Sequence, residues 1–278
     1  MNGDPRPIGM FDSGLGGLTV AKELFACMPG ETVLYLGDTA RCPYGGRSEE
    51  TIRSFGLQDA RFLTAMDIKM LVVACNTVSS VALENIREVI NDIPVIGVVA
   101  LGARAAVKRT TVKRVGVIGT TATVRAGSYE KAIAQIDAEI KTYGKACPLF
   151  VPLVEEGLLD SDITRLAAQR YLYELINYGI DCLLLGCTHY PLLMETIQST
   201  VGAGVQLLDS AFWTAKETKD ILSAMNLCSG VASGGKENSR FFVTDMTDSF
   251  RENASRFLGS AMPNVEKINL EQLTGYPT

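Results

Sequence analysis

Short runs of apolar residues, each closed by Gly, Asp or Pro, alternate along the chain with longer stretches whose apolar residues return every three or four positions. The runs 8–11, 32–36, 70–74, 95–99, 115–118, 149–152, 182–185, 205–208 and 240–243 predict β-strands. They are apolar throughout instead of alternating, as expected of strands covered by helices on both faces. The stretches 18–28, 48–66, 79–91, 128–136, 163–178 and 192–201 predict helices. Strand and helix taking turns in this way predict an α/β fold, doubly wound, with mainly parallel sheets.

A second order lies above the first. Asp67-Ile68-Lys69-Met70-Leu71-Val72-Val73-Ala74-Cys75-Asn76-Thr77 parallels Gly179-Ile180-Asp181-Cys182-Leu183-Leu184-Leu185-Gly186-Cys187-Thr188-His189. Each runs strand, small residue, cysteine, polar pair, helix. A further strand follows each cysteine, and an earlier strand precedes each, ending in Asp12-Ser13-Gly14 and Gly119-Thr120-Thr121. One βαβ module used twice predicts two similar, pseudo-twofold related domains: residues 1–99 with 208–278, and residues 100–207. The polar stretch 229–239 reads as a loop. The strand 240–243 and a helix 249–258 after it are expected to pack back onto one domain.

Composition sets limits on function. The chain has 278 residues, enough for about two domains of ~150. With 26 Lys and Arg against 31 Asp and Glu the net charge is −5, which argues against a phosphate-backbone binder, so no nucleic acid partner is expected. Uncharged stretches fall short of the ~18 apolar residues of a spanning helix, so no membrane association is expected. The polar N-terminus does not read as a secretory signal. Seven cysteines at irregular spacing favour reduced thiols. The expectation is a cytoplasmic enzyme or small-molecule binder.

In open α/β sheets ligands bind beyond the carboxyl ends of the strands, so the residues just past each strand carry the chemistry. Here they are Asp12-Ser13-Gly14, Gly37-Asp38-Thr39-Ala40-Arg41-Cys42-Pro43-Tyr44-Gly45, Cys75-Asn76-Thr77 and Cys187-Thr188-His189-Tyr190-Pro191. Cys75 and Cys187 are either small core hydrophobes or thiols at helix N-termini, where exposed N–H groups lower a thiol pKa and hold a substrate carboxylate. His189, the single histidine, is either structural or the group that orients or deprotonates Cys187. Asp12 is either a helix N-cap or the partner of a substrate ammonium or of Cys75. Arg41 is either solvated or paired with Asp38. Cys42 stands near the site without acting, and Cys27, Cys147, Cys182 and Cys228 belong to core or surface. No zinc set, dinucleotide fingerprint or P-loop is present, so neither metal nor nucleotide is expected. The basic cluster Lys108, Arg109, Lys113 and Arg114 reads as a solvated helix end.

The motifs Phe11-Asp12-Ser13-Gly14-Leu15-Gly16-Gly17-Leu18-Thr19-Val20, Gly37 to Gly45 as spelled above, Ala74-Cys75-Asn76-Thr77, Val154-Glu155-Glu156-Gly157, Gly186-Cys187-Thr188-His189-Tyr190-Pro191-Leu192-Leu193 and Phe241-Phe242-Val243-Thr244-Asp245 come together in one family. Over nearly its whole length the chain resembles the cofactor-independent aspartate/glutamate racemase superfamily, and within it the glutamate racemases. The resemblance implies an active site in the cleft between two α/β domains. There L- and D-glutamate interconvert without any cofactor, supplying D-glutamate for peptidoglycan. It implies Cys75 as base toward D-glutamate, assisted by Asp12, and Cys187 as base toward L-glutamate, assisted by His189. Glu155 matches an acidic residue near the second thiol. Implied substrate contacts are Asp12, Ser13, Pro43, Tyr44, Gly45, Asn76, Thr77, Thr120, Thr123, Thr188 and His189. Homodimers are common in the family. One departure stands out: Ala100-Leu101-Gly102-Ala103 replaces the frequent Glu-Pro-Gly-Ala, which implies altered hinge or interface behaviour.

Overall fold

A computed structural model describes residues 3–248 and 250–275. Among these residues ten strands form two sheets: β1 Ile8–Asp12, β2 Val33–Gly37, β3 Met70–Val73, β4 Val95–Gly97, β5 Arg114–Gly119, β6 Lys141–Ala146, β7 Cys182–Gly186, β8 Gln206–Asp209, β9 Arg240–Val243 and β10 Val265–Lys267. The larger sheet runs β10-β9-β2-β1-β3-β4 and the smaller β6-β5-β7-β8. Every pairing among the described residues is parallel. The order β2-β1-β3-β4 is repeated by β6-β5-β7-β8, so the duplicated module has the same topology in both sheets. The tail returns to the first half, where Phe241 pairs with Tyr35 of β2.

The central strands β1, β2, β3 and β7 are buried along their whole length, which explains their unbroken apolar runs. The helix Val98–Arg109 carries the chain from β4 of one sheet to β5 of the other. Position 99/100 falls inside this helix, and 207/208 falls inside β8. Ala100 to Ala103 therefore stand in the connection between the halves. The basic cluster lies at its far end, where Lys113 pairs with Asp137 at 3.2 Å and also with Glu139.

Several elements differ from the expectation. The run 149–152, expected as a strand, begins the helix Phe150–Glu155. Phe150, Val151, Leu153 and Val154 are buried on one face, and Pro152 sits in the first turn, where its missing N–H costs nothing. Val98 and Val99 belong to the helix that follows β4. The stretch 79–91 is two helices, Asn76–Val81 and Leu83–Val89, and the first starts directly behind Cys75. A 3₁₀ turn, Tyr190–Leu193, precedes the helix Met194–Val201. The expected helix 249–258 is Phe250–Leu258, its first position, Ser249, lying outside the described residues. Unforeseen are the edge strands β6 and β10 and the helices Val98–Arg109, Thr121–Ala126 and Ser210–Ala224.

Candidate active site

The carboxyl ends of β1, β2, β3, β5 and β7 converge on one small cavity of about 20 Å³, room for little more than a water molecule. Its lining comprises Ser13, Cys42, Pro43, Tyr44, Gly45, Cys75, Asn76 and Thr77 from the first half. Thr120, Val151, Cys187, Thr188 and His189 complete it from the second. Asp12 and Thr123, expected to touch a substrate, stand one layer back. Thr123 Oγ1 lies 3.0 Å from that of Thr120 and 3.5 Å from that of Thr77, and Thr77 and Thr120 are themselves 3.0 Å apart. This chain of hydroxyls ties the halves together on one side of the cavity.

Two glycines let the halves meet. A Cβ on Gly16 would fall within 2.6 Å of His189 Nδ1 and collide with Thr188 Oγ1; one on Gly45 would come to 2.5 Å from Thr120 Cβ. Any larger residue at either place would hold the cavity open.

The two thiols have different surroundings. Cys75 is buried at the end of β3, and its Sγ lies 3.6 Å from Ser13 Oγ. Burial first, and then the negative charge of Asp12, push its pKa up to about 12. The expectation of a lowered thiol pKa is therefore overturned here. The helix behind Cys75 has only six residues, and desolvation outweighs what its N–H groups supply. Asp12 is itself fully buried, and burial raises its pKa. His189, the N–H groups of Gly14 and Gly17 and the Thr188 hydroxyl pull the other way. Gly14 N–H donates to Asp12 Oδ2 at 3.0 Å. Asp12 is thus not the helix N-cap of the sequence reading, since the helix Leu18–Cys27 starts from Gly17 with no side-chain cap; it fixes the Gly14 turn and stands beside Cys75.

Around Cys187 the helpers are a cation and its anchor. His189 Nδ1 lies 3.9 Å from Cys187 Sγ, and Nε2 lies 3.1 Å from Glu155 Oε1. The ring packs edge-on against Phe257, with centroids 5.0 Å apart. Burial alone would pull the imidazole pKa down, but hydrogen bonds and charge at Cys187 and Glu155 outweigh it and carry the pKa up to about 10. His189 is therefore an imidazolium near neutrality, held between a sulfur and a carboxylate. A larger cavity of about 250 Å³ lies on the outer side of Cys42 and Glu155; neither Cys75 nor Cys187 lines it.

The loop after β2 is held from below by a network that the sequence reading only touched. Arg41 is not solvated: it pairs with Asp38, reaches Asp59 Oδ1 at 3.1 Å and donates to Gln58 Oε1 at 2.6 Å. Tyr44 Oη donates to Asp38 and lies 3.0 Å from Asp59 Oδ2, while Thr244 Oγ1 donates to Asp38 Oδ1 at 2.9 Å. Burial, and then the charge of Asp38, push the Asp59 pKa well up. Asp59 went unnoticed although the pattern marked it. It shares the buried face of the helix Glu49–Thr64 with Ile52, Gly56 and Leu63, where a carboxyl needs a partner. Val151 was missed because its segment read as a strand.

The model of the Asp/Glu/Hydantoin racemase family matches residues 18–218. The chain belongs to this family. The glutamate racemase of Geobacter metallireducens is 47% identical to the racemase chain described here, over 96% of this chain and 97% of that protein. Among solved structures, glutamate racemase from Francisella tularensis, in complex with D-glutamate, superimposes with a TM-score of 0.91 at 37% identity, covering 98% of this chain and all of that one. Glutamate racemase from Escherichia coli, in complex with L-glutamate and the activator UDP-MurNAc-ala, gives a TM-score of 0.77 at 30% identity, covering 95% and 98%. The α/β fold with two mainly parallel sheets is thus the fold of this racemase family.

Proposed function

We propose that this enzyme, an amino-acid racemase by family, interconverts L- and D-glutamate without a cofactor, moving the α-proton between the sulfurs of Cys75 and Cys187. The observation that carries the reading is that both thiols, one from each copy of the duplicated module, line a single small cavity. One sulfur, as thiolate, takes the α-proton and leaves a carbanion; the other, as thiol, returns a proton to the opposite face, and the two sulfurs exchange states.

The different surroundings give the sulfurs different starting states. Cys75, a thiol with its pKa pushed up to about 12, is set to donate. The His189 imidazolium, fixed by Glu155, is placed to stabilise negative charge on Cys187 Sγ. That combination is poised for L-glutamate, and the reverse turnover needs Asp12 to help Cys75 give up its proton. The Asn76 amide and the Thr77, Thr120 and Thr188 hydroxyls offer the donors that anionic carboxylates and a developing carbanion need in a water-poor cavity. Because the protein is net negative, this attraction is local.

We further place the enzyme in the cytoplasm, as a homodimer that supplies D-glutamate for peptidoglycan. The muramyl activator bound by the Escherichia coli relative supports the cell-wall setting. No helix among the described residues is long and apolar enough to cross a membrane. The test is incubation of the purified protein with L-glutamate in D₂O, without added cofactor, following optical rotation and α-proton exchange. Loss of rotation with α-deuterium incorporation is expected. No exchange with L-glutamate, but exchange with L-aspartate, would move the substrate assignment; exchange with neither would overturn the reading.

A further inference from the structure

We infer that Tyr129 is a positioning residue for carboxylate capture: its hydroxyl fixes the Asn76 amide so that the amide's NH₂ group is presented to the substrate cavity. The inference rests on the glutamate racemase reading of that cavity and deepens it. Tyr129 lies on the helix Ser128–Ile136 of the second half, wholly buried, and its Oη donates to Asn76 Oδ1 across the halves at 2.7 Å. Asn76 lines the cavity directly after Cys75, and its buried Nδ2 has no hydrogen-bond partner among the described residues. A buried amide N–H₂ left free carries a desolvation cost unless a ligand supplies an acceptor. A carboxylate oxygen of the amino acid is the acceptor that fits.

The ring is located as closely as the hydroxyl. A Cβ on Gly102 would come to 3.0 Å from one ring edge, and one on Gly186 to 3.1 Å from the other. Gly186 immediately precedes Cys187. Tyr129 thus spans the two thiol-bearing turns, packing against the backbone before one cysteine and bonding the side chain after the other. Burial raises its pKa, so the phenol stays a donor across the working range. Without the hydroxyl the amide loses the bond that sets its orientation, and a flip would turn Oδ1 toward the cavity, where it would repel a carboxylate.

The test is a double-mutant cycle on the full chain. Tyr129→Phe is expected to raise KM for both enantiomers about tenfold, as the loss of one buried hydrogen bond does, with a smaller change in kcat. In an Asn76→Ala background the same substitution should change KM less than about twofold, because the two residues act as one unit. An active Tyr129→Phe enzyme with unchanged KM overturns the inference. So does an effect of equal size in both backgrounds, which marks a packing role. If Tyr129→Phe does not fold, Gly102→Ala keeps the hydroxyl while crowding the ring; KM should rise, and an unchanged KM is again contrary. Wild-type protein that neither binds nor exchanges glutamate would instead overturn the functional reading, and this inference with it.

Discussion

Replacing His189 by Asn removes the cation beside Cys187 while keeping a side chain of similar reach. At the 3.9 Å separation of Nδ1 and Sγ, two unit charges attract by about 4 kcal/mol at an effective dielectric of about 20. Proton transfer at the sulfur feels only part of that attraction, with a sensitivity near one half. About 2 kcal/mol of the loss therefore survives, and kcat/KM should fall roughly 30-fold near neutral pH. L- and D-glutamate are mirror images of equal stability, so kcat/KM must fall by the same factor from either side. The direction of the damage shows in primary isotope effects. Removal of the α-proton from L-glutamate becomes the slower step, so α-deuterated L-glutamate should show a larger effect than with wild type. The effect with α-deuterated D-glutamate should shrink toward unity. Circular dichroism progress curves with each labelled enantiomer measure both. Isotope effects that move together, or in the opposite sense, would refute the pairing of His189 with Cys187.

The same residue makes stability depend on pH. Its pKa in the fold is raised from 6.5 to about 10, so the stability its proton contributes is full below about pH 6.5 and lost as pH rises through 10. The Tm advantage of wild type over His189→Asn should shrink across that window, and a constant difference would count against a charged His189. Under the β2 loop, Asp59 is pushed toward its neutral form, so Asp59→Asn should cost no more than about 1 kcal/mol in urea unfolding. Asp38→Asn removes the carboxylate engaged by Arg41, Tyr44 and Thr244 and should cost about 3–5 kcal/mol; equal costs would show that the proton is misplaced. Gly16→Ala should lower racemisation at least about tenfold by prying apart the Gly16 and Thr188 turns, as small displacements of catalytic groups do; a fully active variant would show that closure there is dispensable.

What the sequence disclosed follows from what each residue faces. β1, β2, β3 and β7 announce themselves because helices cover both faces and every position is apolar. β6 hides because it is an edge: Lys141-Thr142-Tyr143-Gly144-Lys145-Ala146 has no fully buried position, so the strand carries no apolar run. The duplicated module held the missing clue, since β6 is the counterpart of β2 in the repeated order. The strand-end motifs located the cavity lining, including Ser13, Asn76 and Thr188. The ionisation of Cys75 was not legible, because local sequence shows a helix start but not the burial that overrides it. Nor was Tyr129, whose importance comes from Gly102 and Gly186 leaving room for its ring from two other segments.

The tightness of the cavity has a consequence for the lifetime of the enzyme. Peroxides attack thiolates that they can reach. Here Cys75 is kept as a thiol, and both it and Cys187 are buried against a space of about 20 Å³. If the Gly16 and Gly45 contacts part to admit an amino acid, the same opening uncovers the sulfurs. Oxidative inactivation should then track catalytic turnover, slow in idle enzyme and faster in working enzyme. The narrow space then shields the sulfurs as well as shaping the site.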